Sequence, residues 1–240
     1  MKTSTIKDKK YIILSTVILL LLWKVISLIV GRSIIIPSPE KTFLEIISII
    51  RADHFITVIL NTFKRMLISF SLSFLLALKL GMISALFDPI YYLLKPLILI
   101  QTAVPTMAII LLALIWLSSE LAPVLVGFLI IFPIIYSAVV QSVKEIDDKL
   151  LEMAEVYRFS PLKKFKKIYL PSLKSGLLSI SSTAIGLNLK VIIAAEVLSQ
   201  PKNSIGTYFQ IERATLNTAG VFGWAIIVIA MAFVLDLLIS

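Results

Sequence analysis

The chain has 240 residues, of which 59% are hydrophobic and only 15% are charged. Soluble domains usually contain about 45–50% apolar and about 25% charged residues, so this chain has too little polar surface to cover a water-soluble globule. The absence of cysteine excludes a disulfide framework and a thiolate metal site. The net charge of +9 does not favour nucleic-acid binding, because the basic residues flank apolar runs instead of covering a polar surface.

Six apolar runs are long enough to cross a membrane, which takes about 20 residues. They predict an all-α fold, a polytopic membrane helical bundle of five or six transmembrane helices that forms a single domain over residues 1–240. No separate soluble domain fits between them. The predicted spans are residues 11–30, 66–87, 90–117, 121–140, 172–198 and 221–240. We expect a polar loop, residues 199–220, between the last two spans.

The first run begins at Tyr11, directly after a lysine-rich N-terminal segment. It is longer than the apolar part of a secretory signal and has no small-residue cleavage site, so we expect a retained span. The lysines place the N-terminus in the cytoplasm, and with this orientation the inner segments hold about twice as many Lys and Arg residues as the outer ones. Between the first two spans, residues 40–50 show helical apolar spacing among charges and predict an amphipathic helix at the outer interface.

Prolines interrupt the third and fourth predicted spans. Pro96 and Pro105 fall within the third and Pro133 within the fourth. An interior proline removes a helix hydrogen bond, and the freed carbonyl is tolerated at membrane depth only where it faces protein or a cavity. We therefore expect the third span to be kinked or broken. Pro105 is a candidate gate residue, and a simple packing kink is the alternative.

The longest polar stretch of the chain is the loop of residues 144–171, which the orientation above places in the cytoplasm. Residues 147–160 predict a short helix with its apolar residues on one side. Ser160 and Pro161 are suited to the N-cap and first position of a second helix, which we expect to end at Leu170-Pro171. The loop therefore predicts a helix-turn-helix.

This loop resembles the EAA loop of ABC importer permeases, whose pattern is Glu-Ala-Ala, three residues, Gly, nine residues and Ile-x-Leu-Pro. Glu152, Ala154, Ile168 and Pro171 fall at that spacing. Arg158 occupies the glycine position, so we expect the turn to come from Ser160-Pro161 instead.

The resemblance covers nearly the whole chain and points to the permeases for taurine, alkanesulfonates, nitrate and thiamine precursors. The matching segments are Ile36-Pro37-Ser38-Pro39, Val104-Pro105-Thr106-Met107-Ala108, Ala194-Ala195-Glu196-Val197-Leu198 and Ile205-Gly206. It implies a homodimer in the bacterial cytoplasmic membrane, which works with an external substrate-binding protein and with a separate ATPase subunit. In that family the loop docks into a groove of the ATPase as a coupling helix. The coupling residues that the resemblance implies are Glu152, Ala154, Tyr157, Arg158, Ser160, Leu162, Phe165, Ile168, Leu170 and Pro171.

The chain has no ATP site of its own by the usual route, because no Gly-x-x-x-x-Gly-Lys-Ser/Thr phosphate loop occurs among its eight glycines. We therefore expect a transport subunit and not an enzyme, with no cofactor and with ATP bound by the partner. The lysines of the second loop helix have a simpler alternative role, attraction to anionic lipid as a topology signal.

Two charged residues in the fifth span are candidates for the translocation path. Ser179, Thr183, Gly186 and Lys190 recur on one helix face, and a charge at bilayer depth costs at least about 2.5–3.5 kcal/mol, so Lys190 should face the bundle or a dimer interface. There it either attracts an anionic solute or pairs structurally with a carbonyl or carboxylate. Glu196 lies near the outer end, where it is either a gate or binding-protein contact or an interfacial carboxylate held by water.

Two other classes of protein remain as alternatives. An ion-coupled secondary transporter needs buried carboxylates, and the spans offer only Glu196 and Asp236, both near helix ends. A membrane-embedded enzyme needs clustered His, Asp or Glu residues, whereas His54 is the sole histidine and has no such companions.

Overall fold

The computed structural model describes residues 6–239, apart from a few side chains within helices. The described residues are mostly helical and form no strand, which confirms the all-α membrane bundle. A π-helical turn, Phe165–Tyr169, lies between the eighth and ninth α-helices. The α-helices are α1 Ile6–Val30, α2 Pro39–Arg51, α3 Phe55–Leu86, α4 Asp88–Ala103, α5 Thr106–Trp116, α6 Ala122–Lys144, α7 Asp148–Val156, α8 Pro161–Lys164, α9 Leu170–Ser199, α10 Ile205–Ala214 and α11 Thr218–Ile239.

Five of the described helical segments are long and apolar enough to cross a membrane. The third predicted span is different, because α4 and α5 meet at an angle of 101°. The break lies at Val104-Pro105, whereas the helix continues through Pro96. Proline disfavours the helical conformation in the residue before it, and Val104 is accordingly extended, with φ −70° and ψ 128°. The five single segments are Ile13–Val30, Phe55–Leu86, Ala122–Lys144, Ile180–Ser199 and Thr218–Leu238.

The chain divides into two compact units. The first comprises the described part of Met1–Thr57 together with Tyr208–Ala230. Within it α2 is the predicted amphipathic helix, and Ser38 caps its N-terminus by accepting a hydrogen bond from the Lys41 backbone N–H at 3.3 Å. The indole of Trp23 on α1 donates to the Pro37 carbonyl at 3.0 Å, which fixes the approach to α2.

The second unit comprises Val58–Thr207 and the described part of Met231–Ser240, and its core is built around α6. Ile131 and Val139 of α6 are fully buried. A Cβ atom added at Gly127 would lie 2.7 Å from Asn188 Oδ1 and 2.8 Å from Ser69 Oγ, so this glycine lets α3, α6 and α9 approach closely. The Asn188 amide in turn donates to the Met66 carbonyl at 2.9 Å.

Two expectations about element boundaries are wrong. α3 begins at Phe55 and not near residue 66, because Arg65, which resembles a charge outside a span, is buried inside the helix. The stretch 199–220, expected to be a loop, contains α10. With ten residues, among them Thr207, Gln210, Glu212 and Arg213, α10 is too short and too polar to be detected as an apolar run.

Candidate functional site

The turn between α7 and α8 passes through Arg158. Its φ is +48°, in the left-handed region that favours glycine. The Phe159 N–H donates to the Ala154 carbonyl at 2.8 Å and the Arg158 N–H to the Glu155 carbonyl at 2.9 Å. This pair of bonds is a Schellman motif, which normally has glycine where Arg158 stands. The expectation that Ser160-Pro161 replaces the glycine turn is therefore wrong, because the backbone keeps the glycine-like conformation at Arg158.

Ser160 and Pro161 begin α8 as predicted. The Ser160 hydroxyl accepts a hydrogen bond from the Lys163 backbone N–H at 3.3 Å, and Pro161 occupies the first turn. Leu170-Pro171, however, does not close the helix. The helical backbone runs from α8 through the π-helical turn into α9, with the Leu170 N–H bonded to the Phe165 carbonyl. A π-helical turn relieves the clash that Pro171 would make with the preceding turn of a regular α-helix.

The loop helices have one attached face and one exposed face. Ala154 and Ile168 are buried in the core around α6. Val156, Tyr157 and Leu162 are 79%, 71% and 64% exposed. Isolated exposed apolar residues are ordinary, but three large ones around one turn, at the end of α7 and the start of α8, indicate a contact surface. The other predicted coupling residues that are exposed are Glu152, Arg158, Ser160, Phe165, Leu170 and Pro171.

A second group of functional candidates surrounds Glu196, at the opposite end of α9 from the loop. Glu196 is fully buried and Arg65 is 7% exposed. Arg65 Nη1 donates to Glu196 Oε1 at 2.9 Å, and the Thr62 hydroxyl donates to Oε2 at 3.0 Å. A buried charge is tolerated when it is paired and hydrogen-bonded in this way. The alternative of an interfacial carboxylate held by water is therefore wrong for Glu196.

Two further groups complete the Glu196 cluster. The Gly206 N–H donates to Glu196 Oε2 at 3.2 Å, and the Ile205 N–H donates to the Thr62 hydroxyl at 3.1 Å, so the start of α10 is tied to α3 and α9. A Cβ atom at Gly206 would collide with Glu196 Cβ and with the backbone nitrogen of Val197. The cluster therefore requires glycine at this position.

Arg65 also pairs with Glu120, in the segment between α5 and α6. Glu120 Oε1 accepts a second hydrogen bond from the Lys202 backbone N–H at 2.8 Å. Partial burial raises the pKa of Glu120, but the hydrogen bonds from Arg65 and Lys202 outweigh it and hold that pKa below the usual 4.5. Arg65 is not among the predicted site residues, although a glutamate inside a span requires a cationic partner nearby.

The sequence model of the family described as binding-protein-dependent transport system inner membrane component matches residues 77–240, more than half of the chain. The chain belongs to this family. It is therefore an ABC importer permease component, an integral protein of the inner membrane. A comparison with curated proteins gives no match. The matched stretch includes the loop helices, Lys190 and Glu196 of the permease, whereas Arg65 lies before it.

Lys190 of the permease lies on α9, and its side chain is exposed on the single chain. Within the described part of the chain it makes no hydrogen bond or ion pair. Thr183 and Ala194 on the same face are also exposed, and a Cβ atom at Gly186 would meet nothing within 4 Å. The side chain of Ser179 lies outside the described residues. Lys190 was expected to face either the interior of the bundle or a dimer interface. The first of these expectations is wrong, because Lys190 does not face the interior of its own chain.

Pro105 lies in the break between α4 and α5 and is exposed. Among the described residues it shares no hydrogen bond or ion pair with Lys190 or Glu196. Its local effect is the 101° bend, which turns the short α5 away from the direction of α4.

Proposed function

We propose that this chain is the membrane-spanning subunit of an ATP-powered importer, which carries a small solute inward by alternating access. An external binding protein delivers the solute, and a separate ATPase subunit supplies the energy. Membership of the permease family supports the general role. The observation that carries the specific mechanism is the loop of α7 and α8, with one face buried in the bundle and the other bearing exposed apolar residues.

The loop is suited to receive force because it is firmly attached. Ala154 and Ile168 hold it to the core, and the Schellman turn fixes α7 against α8. Its exposed residues Val156, Tyr157 and Leu162 offer apolar area for a partner. We infer that the ATPase docks on this face, which would place the loop and the N-terminus in the cytoplasm.

Movement of the docked loop would pass directly to α9. Helical backbone continues from Pro161 to Ser199 without an intervening loop, so a displacement at Leu162 acts on one end of the helix that carries Lys190 and Glu196. The Arg65–Glu196 cluster anchors the other end of this helix. Such a rigid element with one moved and one anchored end is a physical basis for alternating access.

Lys190 is proposed to face the translocation path between two copies of the chain. An exposed lysine within a span would be costly against lipid, so a homodimer that covers this face and leaves a polar path explains its position. There Lys190 would attract an anionic solute, such as a sulfonate or nitrate. Pro105, at the bend between α4 and α5, and Glu196, at the anchored end of α9, are proposed to act in gating the same path.

The docking proposal is tested with the full-length chain in nanodiscs and its candidate ATP-binding cassette subunit. Tyr157→Asp and Leu162→Asp should each weaken ATPase binding at least tenfold, because a charge replaces a buried apolar contact. Ile34→Asp is the matched control, since Ile34 is also an exposed apolar residue, 60% accessible, but lies outside the loop. Unchanged binding by both loop variants would refute docking at this surface.

The ion-coupled alternative is tested by uptake into membrane vesicles. It requires a buried carboxylate free to carry a cation or proton, whereas both oxygens of Glu196 accept hydrogen bonds and Asp236 accepts one from Ser182. Uptake should need ATP and the ATPase subunit, and Lys190→Met should abolish it while ATPase assembly is retained. Uptake driven by a proton gradient without the ATPase would refute the importer proposal.

A further inference from the structure

A pocket of about 400 Å³ lies between α4 and α6, apart from the loop surface and the Glu196 cluster. Its walls change in character along the two helices. Tyr91 and Lys144 line the end where α4 begins and α6 finishes, Lys95 lies one turn farther along α4, and Ile98, Leu99 and Val140 line the part beyond it. The pocket thus joins a cationic end to an apolar channel.

The two lysines converge on one aromatic ring. Lys144 Nζ lies 3.8 Å from the centroid of the Tyr91 ring, and Lys95 Nζ lies 5.9 Å from the same centroid. Both distances are within the range of cation–π attraction. Both ammonium groups thus lie beside the Tyr91 ring, where an anion bound to them would offset the repulsion between like charges.

Two carboxylates lie near these ammonium groups. Asp88 Oδ1 is 3.9 Å from Lys144 Nζ, close enough for an ion pair but too far for a hydrogen bond. Glu145 also lines the pocket, where its carboxylate accepts a hydrogen bond from the Gln141 amide at 2.7 Å. Among the described residues neither lysine donates a hydrogen bond. Their N–H groups are thus free to bind a ligand.

The apolar side of the pocket indicates what kind of anion fits. α4 has no buried residue, and Leu99, which lines the pocket, is 58% exposed. Leu93 and Leu97 on the same helix are 72% and 59% exposed, as expected of a helix that faces lipid. A small hydrated anion would gain nothing from Ile98, Leu99 and Val140, whereas an acyl chain would bury against them.

We propose that this pocket binds an anionic phospholipid from the surrounding bilayer. Its phosphate would lie between Lys95 and Lys144, and an acyl chain would follow Ile98, Leu99 and Val140. Basic pockets between transmembrane helices are a recurring form of lipid headgroup recognition. The proposal does not depend on the import mechanism, but the bound lipid would bridge α4 and α6 immediately before the loop helices.

The test is native mass spectrometry of the full-length protein in detergent, titrated separately with phosphatidylglycerol and phosphatidylcholine. The protein should retain one phosphatidylglycerol with clear preference over phosphatidylcholine. Lys95→Gln/Lys144→Gln should weaken that binding about thirtyfold, since each lysine near a lipid phosphate contributes about 1 kcal/mol. The matched control is Lys149→Gln/Lys174→Gln, which removes two exposed lysines outside the pocket and changes the net charge equally.

Two further measurements distinguish a bound lipid from bound soluble phosphate, and a loss of binding from a loss of folding. Leu99→Gln, at an exposed position where the fold loses little, should also weaken phosphatidylglycerol binding, whereas millimolar inorganic phosphate should not displace the lipid. The proposal would be overturned if the protein retained both lipids equally, or if inorganic phosphate displaced the lipid. It would also be overturned if Lys95→Gln/Lys144→Gln, with an elution profile that shows it is folded, bound phosphatidylglycerol as tightly as the unmodified protein. A control variant that loses as much binding as the pocket variant would also overturn it.

Discussion

Arg65 and Glu196 are 131 residues apart in the sequence, yet Arg65 Nη1 lies 2.9 Å from Glu196 Oε1 in the interior of the protein. The pair joins α3 to the C-terminal end of α9, and Thr62 and Gly206 donate the remaining hydrogen bonds to the carboxylate. Removing one member of a buried pair leaves an uncompensated charge, whereas removing both members can be nearly neutral. This asymmetry gives the first prediction.

Arg65→Met should strongly destabilise the protein. It leaves the fully buried Glu196 without a cation, for which a loss of about 3–5 kcal/mol is typical. The measurement is thermal unfolding of the full-length protein in detergent, followed by tryptophan fluorescence. Arg65→Met/Glu196→Leu should recover part of the lost stability, because it removes both charges.

The control for this prediction is the exposed ion pair between Lys24 and Glu40. Lys24 Nζ lies 2.7 Å from Glu40 Oε1. Lys24→Met should lower the stability much less than Arg65→Met does, because solvent screens an exposed ion pair. Equal losses for Lys24→Met and Arg65→Met would show that burial does not govern the Arg65 pair. A double variant less stable than Arg65→Met alone would contradict the charge explanation.

Glu120 should make the folded state sensitive to acid. Its pKa is lowered from 4.5 in the folded protein, so the unfolded state binds the proton more readily. The stability that Glu120 contributes is therefore fully present above about pH 4.5, the ordinary value, and is lost as the pH falls through the lowered pKa. Thermal unfolding from pH 7 to pH 3 should show a smaller acid-dependent decline for Glu120→Gln than for the unmodified protein. Identical declines would mean that Glu120 does not contribute.

The sequence predicted those parts of the fold that depend on local patterns. Apolar run length located the spans, except for the start of α3, and Ser160 with Pro161 marked the start of α8. Pro96 and Pro105 together predicted a kinked or broken third span, but not which of the two prolines breaks it. These features follow from hydropathy and from the backbone preferences of proline and serine, which act within a few residues.

Features that depend on distant partners were not predictable in the same way. Arg65 looks like a charge that ends a span, and only the fold shows that Glu196 and Glu120 neutralise it inside α3. Arg158 shows a different limit. Its Schellman bonds reach only to Ala154 and Glu155, but an arginine does not reveal a left-handed backbone that normally takes glycine. The pocket of Lys95 and Lys144 likewise depends on the pairing of α4 with α6, which neither segment specifies alone.

Gly206→Ala should disrupt the cluster around Glu196. Its added methyl group would collide with Glu196 Cβ and the Val197 backbone, so the start of α10 must move away and the hydrogen bond to Glu196 is lost. Such overpacking typically costs about 1–3 kcal/mol. We expect a lower unfolding temperature than that of the unmodified protein.

Gly186→Ala is the matched control for Gly206→Ala. Gly186 lies in the interior of α9 with nothing within 4 Å of an added Cβ atom, and alanine favours helix over glycine by about 1 kcal/mol. For the single chain in detergent, this variant should be as stable as the unmodified protein or more so. If both alanine variants lowered the unfolding temperature equally, the close approach at Gly206 would not be the cause.

Arg158→Gly should stabilise the loop between α7 and α8. The left-handed conformation costs a residue with a Cβ atom about 1–2 kcal/mol, and glycine adopts it freely, although the greater freedom of glycine in the unfolded chain offsets part of the gain. Hydrogen exchange of the backbone N–H groups at positions 158 and 159, which donate the two hydrogen bonds of the turn, should be slower in Arg158→Gly than in the unmodified protein. Arg158→Ala is the control, because it removes the same charge but keeps a Cβ atom. Slower exchange in both variants would show that the lost charge is the cause. Slower exchange in the glycine variant alone would show that the cause is relief of the strained left-handed backbone at this position.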